Sequence, residues 1–146
     1  MAHVVYFILP VFWIGLLVGV CFIATPAKYL APTLARPVAM DVGRVTFALW
    51  NDVEWLVLAL LVPPLVLLRP DLFIGVATFI LGLLLLIQTA VLLPALEGRA
   101  KAIQAGTRPP RSADHHNYVL IDILKVCILL AMVWRQTEII AARLAG

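Results

Sequence analysis

Asp52, Glu54, Asp122 and Lys125 are charged side chains set inside otherwise apolar stretches of a 146-residue chain. An unpaired charge in such a place is costly, and a paired one is a candidate for proton or ligand chemistry. Glu54 against Lys125 would neutralise two buried charges, and Asp122, about one helical turn before Lys125, could join the same network. Replacing Glu54 alone is then expected to leave an orphaned cation. A proton-coupled transporter needs groups of this kind, but it also needs a polar route to the opposite leaflet, and no comparable ionisable residue stands in the other halves of these stretches. Gln88, alone among leucines, reads either as a hydrogen-bonding group between helices or as a pore or ligand contact. Structural pairing is the simpler reading of the set, with transport or recognition of a small ligand as alternatives.

Other chemistry has less to stand on. His3 belongs near one end of the first apolar stretch, and His115 and His116 near the opposite end of the last, so the three cannot enclose a single b-type haem. Asp114, His115 and His116 could hold a metal only with ligands from another segment, and otherwise read as interfacial polar residues. Cys21 and Cys127 lie inside apolar runs without the short spacing of a redox or zinc pair, which makes them small hydrophobes. There is no H-E-x-x-H helix, G-x-S-x-G elbow or phosphate-binding glycine loop, and Gly82 followed by leucines cannot cradle phosphate. No catalytic residue, cofactor or metal is therefore expected, although a bound lipid or quinone is compatible with the composition.

The elements that must position these groups are membrane spans. Leu72–Leu93 runs 22 residues without a charge, and about 20 such residues cross the roughly 30 Å hydrocarbon layer. Residues 4–24, 47–68 and 118–134 read as its partners. The expectation is an all-α polytopic membrane protein, a compact four-transmembrane-helix bundle forming a single integral membrane domain over residues 1–146. Charged residues make up 13% and hydrophobic residues 64% of the chain, against roughly 25% charged in soluble domains. The net charge of +3 and pI near 9.2 are better explained by anionic lipid head groups than by nucleic acid, because most basic residues sit in two loops bordering spans. The first span lacks the charged n-region of a signal peptide and is expected to be retained.

Between the spans, Pro37–Thr46 is too polar to cross and could form a short interfacial helix, with Asp41 and Arg44 near enough for a local pair. Pro26 reads as a breaker, and Pro63 and Pro64 should stop or kink the second span. Arg69, Pro70 and Asp71 suggest a tight turn. The third helix is expected to continue past Pro94 until Gly106 stops it, and Pro109 and Pro110 stiffen the connector to a fourth helix starting near Asp114. Gly15 and Gly19 form a small-x-x-x-small pair, and Gly75, Thr78 and Gly82 give a small-residue seam; both are helix-packing candidates. Trp50, Trp55 and Trp134 read as interface anchors.

Lys28, Arg36, Arg44, Arg99, Lys101, Arg108 and Arg111 occupy the first and third loops, against Arg69, Arg135 and Arg143 on the other side. By the positive-inside rule those loops are cytoplasmic and both termini periplasmic in a bacterial inner membrane.

The tracts GLLVGVCFIATPAKYL at Gly15–Leu30, DVGRVTFALWNDVEW at Asp41–Trp55 and LLPALEGRAKAI at Leu92–Ile103 resemble small bacterial membrane proteins of the transmembrane protein 205 type. The resemblance implies a compact four-helix membrane domain and carries over no catalytic residue. The residues favour a non-catalytic accessory, structural or assembly subunit of an inner-membrane complex. Its partner would be another integral membrane subunit or a second copy, alongside membrane lipids. A small proton-coupled transporter and a lipid- or quinone-binding protein are the competing classes. A lateral apolar crevice near Trp50 and Trp55 would favour the latter.

Overall fold

The computed structural model describes residues 2–68, 71–107, 110 and 112–145. The expected turn at Arg69 and Pro70, and Arg108, Pro109 and Arg111 of the connector, lie outside the described residues, as do the side chains of His3 and Arg36. Four helical rods result. The first comprises α1 (Ala2–Leu17), a π-helical stretch Val18–Ala24 and α2 (Thr25–Leu30). The second is α3 (Arg36–Leu68); the third comprises α4 (Leu72–Ile87), a π-helical stretch Gln88–Leu92 and α5 (Leu93–Gln104); the fourth is α6 (Asp114–Ala145). All four are long and apolar enough to cross a membrane, giving a multi-pass four-helix bundle.

Both π-helical stretches end just before a proline. A proline has no N–H to give to the carbonyl four residues back, and its ring crowds that carbonyl. Widening the preceding turn relieves the clash, and the Thr25 N–H accordingly reaches the Val20 carbonyl while the Leu93 N–H reaches that of Gln88. The Thr25 hydroxyl donates to the same Val20 carbonyl at 2.9 Å. Pro26 therefore does not break the first rod, contrary to expectation. Pro63 and Pro64 likewise lie inside α3, which runs on to Leu68.

The rods are longer than the expected spans. Pro37–Thr46 is not a separate surface helix but the first turns of α3. It is held upright where α3 and α5 meet, because Arg44 bonds both Asp41 at 3.0 Å and Glu97 at 3.3 Å and Gln104 donates to Asp41 at 3.2 Å. A polar helix with partners on a neighbouring rod has no need to lie on lipid. Beyond it α5 ends where expected: Gly106 has φ +80°, and the N–H groups of Gly106 and Thr107 close on the Ile103 and Ala102 carbonyls, both at 3.0 Å. This paired closure requires a left-handed residue, the conformation glycine adopts freely.

α1 packs on α3 and α6, and α4 packs on the same two. The rods thus stand as a square in chain order, each antiparallel to both neighbours, with α3 and α6 facing across one diagonal. The core consists of Trp13, Leu17, Leu61, Ile74, Leu81, Leu85, Leu129 and Met132, none with exposed surface. At the end carrying the termini, Arg135 of α6 bonds Asp71 ahead of α4 at 2.5 Å. That hydrogen bond holds the Asp71 carboxyl below the ordinary carboxylate range.

Candidate functional site

The polar core sits on the diagonal. Period-3.6 placement turns Trp50, Asn51, Glu54, Val57, Leu58 and Leu61 of α3 inward, and the matching face of α6 carries Tyr118, Asp122, Lys125, Leu129 and Met132. Glu54 and Lys125 meet in the middle with no exposed side-chain surface, the Lys125 ammonium donating to Glu54 Oε1. Lys125 is also 3.0 Å from Asp122 Oδ1. The two remaining rods complete the cluster: Trp13 of α1 donates its indole N–H to Glu54 Oε1 at 3.0 Å, and Gln88 donates to Asp122 Oδ1 at 2.8 Å and lies 3.4 Å from the Tyr118 carbonyl. One connected network therefore ties all four rods. Lys125 lies ten residues before Arg135, or about 15 Å at the helical rise, close to the middle of a hydrocarbon layer.

Electrostatically the cluster is two carboxyl groups around one ammonium. With both ionised it would carry one net negative charge, which a proton or a small cation would cancel. Glu54 Oε2 and Asp122 Oδ2 are left without a protein hydrogen bond among the described residues, as is Gln88 Oε1. Asp122 is thus a full member rather than a neighbour, and this corrects the consequence drawn for Glu54. Removing Glu54 does not orphan Lys125, because Asp122 keeps it paired.

Asp52 does not take part. It is exposed, about 200° around α3 from Glu54 at two residues' spacing, on the outward face. Asn51 turns inward in its place and donates to Thr89 Oγ1 at 2.9 Å. Trp55 donates to the same hydroxyl at 2.9 Å, which passes its own proton to the Leu85 carbonyl at 2.8 Å. This second node joins α3 to the π-helical turn of the third rod.

Trp50 is also corrected. It is 4% exposed and belongs to the core, not the head-group belt, whereas Trp55 at 36% and Trp134 at 70% face outward. The seam of the third rod is displaced as well. Its buried face is Ile74, Ala77, Thr78, Leu81 and Leu85, so Thr78 lies on both faces while Gly75 and Gly82 fall at the edge. Gly82 still approaches Leu58, within 3.5 Å of a would-be Cβ. Gly75, Thr78 and Gly82 instead border a groove of about 420 Å³ with Trp55, Leu58 and Phe79. Gly15 and Gly19 point away from the bundle, and a Cβ at either would meet nothing within 4 Å.

Trp13 is a site residue that the sequence analysis did not single out. The available signal was chemical: an indole N–H deep in an uncharged span needs an acceptor. Cys21 is half-buried and Cys127 exposed, both as free thiols. His115 and His116 stand with ring centroids 6.3 Å apart, and among the described residues no group of three or more His, Cys, Asp or Glu is placed to hold a metal. Near His115, a cavity of about 590 Å³ opens at the end bearing the two long connections. No family model, no curated protein and no solved structure matches the chain.

Proposed function

We propose that the protein is a non-catalytic accessory or assembly subunit of a bacterial inner-membrane complex, working by occupying a defined position beside another membrane subunit. The observation that carries this reading is the outward pair Gly15 and Gly19. A side chain at either position would meet nothing of the bundle within 4 Å, yet a small-x-x-x-small face is the surface on which a second helix backbone can approach closely. The network inside the bundle supports the same view, since its members bond one another across four rods and leave a rigid frame whose outer faces are free for a neighbour. G15L and G19L, made separately, should each reduce recovery of the larger species at least severalfold in gently extracted native membranes, with membrane insertion unchanged. A population of parent protein that remains wholly monomeric under the same extraction would sink the reading. The resemblance to the transmembrane protein 205 type is compatible with this role and adds no site to it.

The favoured orientation puts the end of the bundle that carries the 31–35 and 105–113 connections in the cytoplasm and both termini in the periplasm, supported by seven basic residues in and beside those connections in the sequence against three opposite. In a chain with Cys21 and Cys127 replaced, L144C should react with an impermeant maleimide in sealed cells, and G106C should not. The reverse pattern inverts the topology.

Binding of a lipid or quinone is a second reading, favoured by two openings. The groove beside Trp55 is apolar and faces the membrane laterally, as a crevice for such a molecule should. The connection-end cavity is larger and chemically more varied.

A further inference from the structure

The cavity at the connection end lies between α2, α3, α5 and the first turn of α6. Its volume of about 590 Å³ falls within the range of small-ligand sites. Its walls are of two kinds. Tyr29, Phe47, Leu93 and Leu96 form an apolar side, and Arg44, Arg99, Glu97 and His115 bring charge or polarity. Arg44 is shared between Glu97 at 3.3 Å and Asp41 at 3.0 Å, so this group brings one net negative charge, against which the two remaining cations leave one net positive charge.

Two cations remain. Arg99 lines the cavity and donates one N–H to the carbonyl of Pro110, with no carboxylate paired to it among the described residues. Lys28, half-buried, likewise has no carboxylate partner among them. Its ammonium rests 5.4 Å from the ring centroids of both Tyr29 and Phe47, a cation–π arrangement that orients the charge without neutralising it. Gly43 makes the room: a Cβ there would stand 2.5 Å from Lys28 Nζ. Tyr29, Phe47 and Gly43 all line the cavity, and the ammonium lies against all three, next to the cavity although Lys28 does not itself line it. Lys28 of α2 and Arg99 of α5 both stand here, at the level where the rods pass from apolar to polar sequence.

An excess of positive charge beside an apolar wall at this level matches one kind of molecule. We propose that this cavity binds an anionic amphiphile, a phosphate-bearing membrane lipid whose head group is held by Lys28 and Arg99 and whose hydrocarbon lies along Tyr29, Phe47, Leu93 and Leu96. The guanidinium and ammonium supply charge-assisted hydrogen bonds to phosphate oxygens. The apolar wall distinguishes a lipid from a free phosphate, and the uncompensated charge distinguishes an anionic lipid from a neutral quinone. This inference does not depend on the partner reading above.

The test uses the full chain in a neutral detergent, titrated with dioleoyl phosphatidylglycerol and followed by native mass spectrometry. Parent protein should bind the lipid at least about tenfold more tightly than K28Q or R99Q, the scale expected when one charge-assisted contact is removed. K28R should retain most of the affinity. R143Q, altered at the opposite end of α6, should bind as parent does, which separates a site from general attraction to a basic protein. Thermal melts of K28Q equal to parent would show that the fold is intact, and if K28Q fails to fold, the K28R and R99Q comparison carries the test. Unchanged affinity in both K28Q and R99Q overturns the proposal. So does equal binding of dioleoyl phosphatidylcholine or ubiquinone, and so does displacement by inorganic phosphate at concentrations matching the lipid, which would make the ligand a soluble anion.

Discussion

K125M will destabilise the bundle more than either E54Q or D122N, and by a margin wide enough to separate mechanisms. Charge arithmetic decides the order. Lys125 is the cation bonded to both Glu54 and Asp122, at a point with no solvent exposure. E54Q or D122N leaves one carboxylate against one ammonium, a neutral pair, and costs the difference between a charged and a neutral hydrogen bond, about 1–1.5 kcal/mol. K125M leaves two carboxyl groups with no cation. Breaking a buried pair from one side typically costs about 3–5 kcal/mol, and here two acids lose their partner together. The triple variant K125M/E54Q/D122N removes every charge and should recover most of the deficit. Denaturant unfolding in a fixed detergent measures all of this. Equal destabilisation by K125M and E54Q would mean that Asp122 and Glu54 do not share the ammonium.

W13A and W13F will separate volume from hydrogen bonding. Trp13 is fully buried and gives its N–H to the oxygen of Glu54 that also receives Lys125. W13A removes the ring and the donor, and large-to-small replacement of a buried aromatic costs about 3–5 kcal/mol. In lipid, part of the solvent contribution to that figure disappears, but the void still deprives its lining of dispersion attraction. W13F keeps most of the volume and gives up a hydrogen bond to a charged acceptor, about 1.5–3 kcal/mol. The expected order is parent, W13F, W13A. If W13F unfolds with parent, the indole N–H contributes nothing to the network; if it unfolds with W13A, packing contributes nothing beside the bond.

These residues also show which parts of the molecule were legible in its sequence. The four rods were, because charge-free runs of membrane length have few other uses. The pairing of Glu54 with Lys125 followed from the cost of burying either alone. The exclusion of Asp52 was equally available and was overlooked. Trp50, Asn51, Glu54, Val57, Leu58 and Leu61 fall on one helical face, and Asp52 does not. That same face would have moved Trp50 from the head-group belt to the core. Other features depend on which rods become neighbours. The bond from Trp13 spans 41 residues and that from Gln88 to Asp122 spans 34, and nothing local to Gly15 or Gly75 says whether a glycine will meet another helix or open outward. The π-helical turns before Pro26 and Pro94 are intermediate: proline signals a conflict in the ladder, but widening and breaking are both ways of resolving it.

The span between the partners has a consequence for the chain as it is made. Glu54 precedes Lys125 by 71 residues, so at about 5–20 residues per second the carboxyl group waits on the order of 4–14 s for its ammonium to be synthesised. During that interval α3 enters the bilayer with an acid that has the Trp13 indole but not yet its cation, and the third rod follows with Gln88 still lacking its partners on α6. The fourth rod supplies partners for both at once. A chain truncated before Lys125, or one whose last helix enters late, therefore presents exposed polar side chains at membrane depth, the mark by which a quality-control protease can tell an unfinished copy from a finished one.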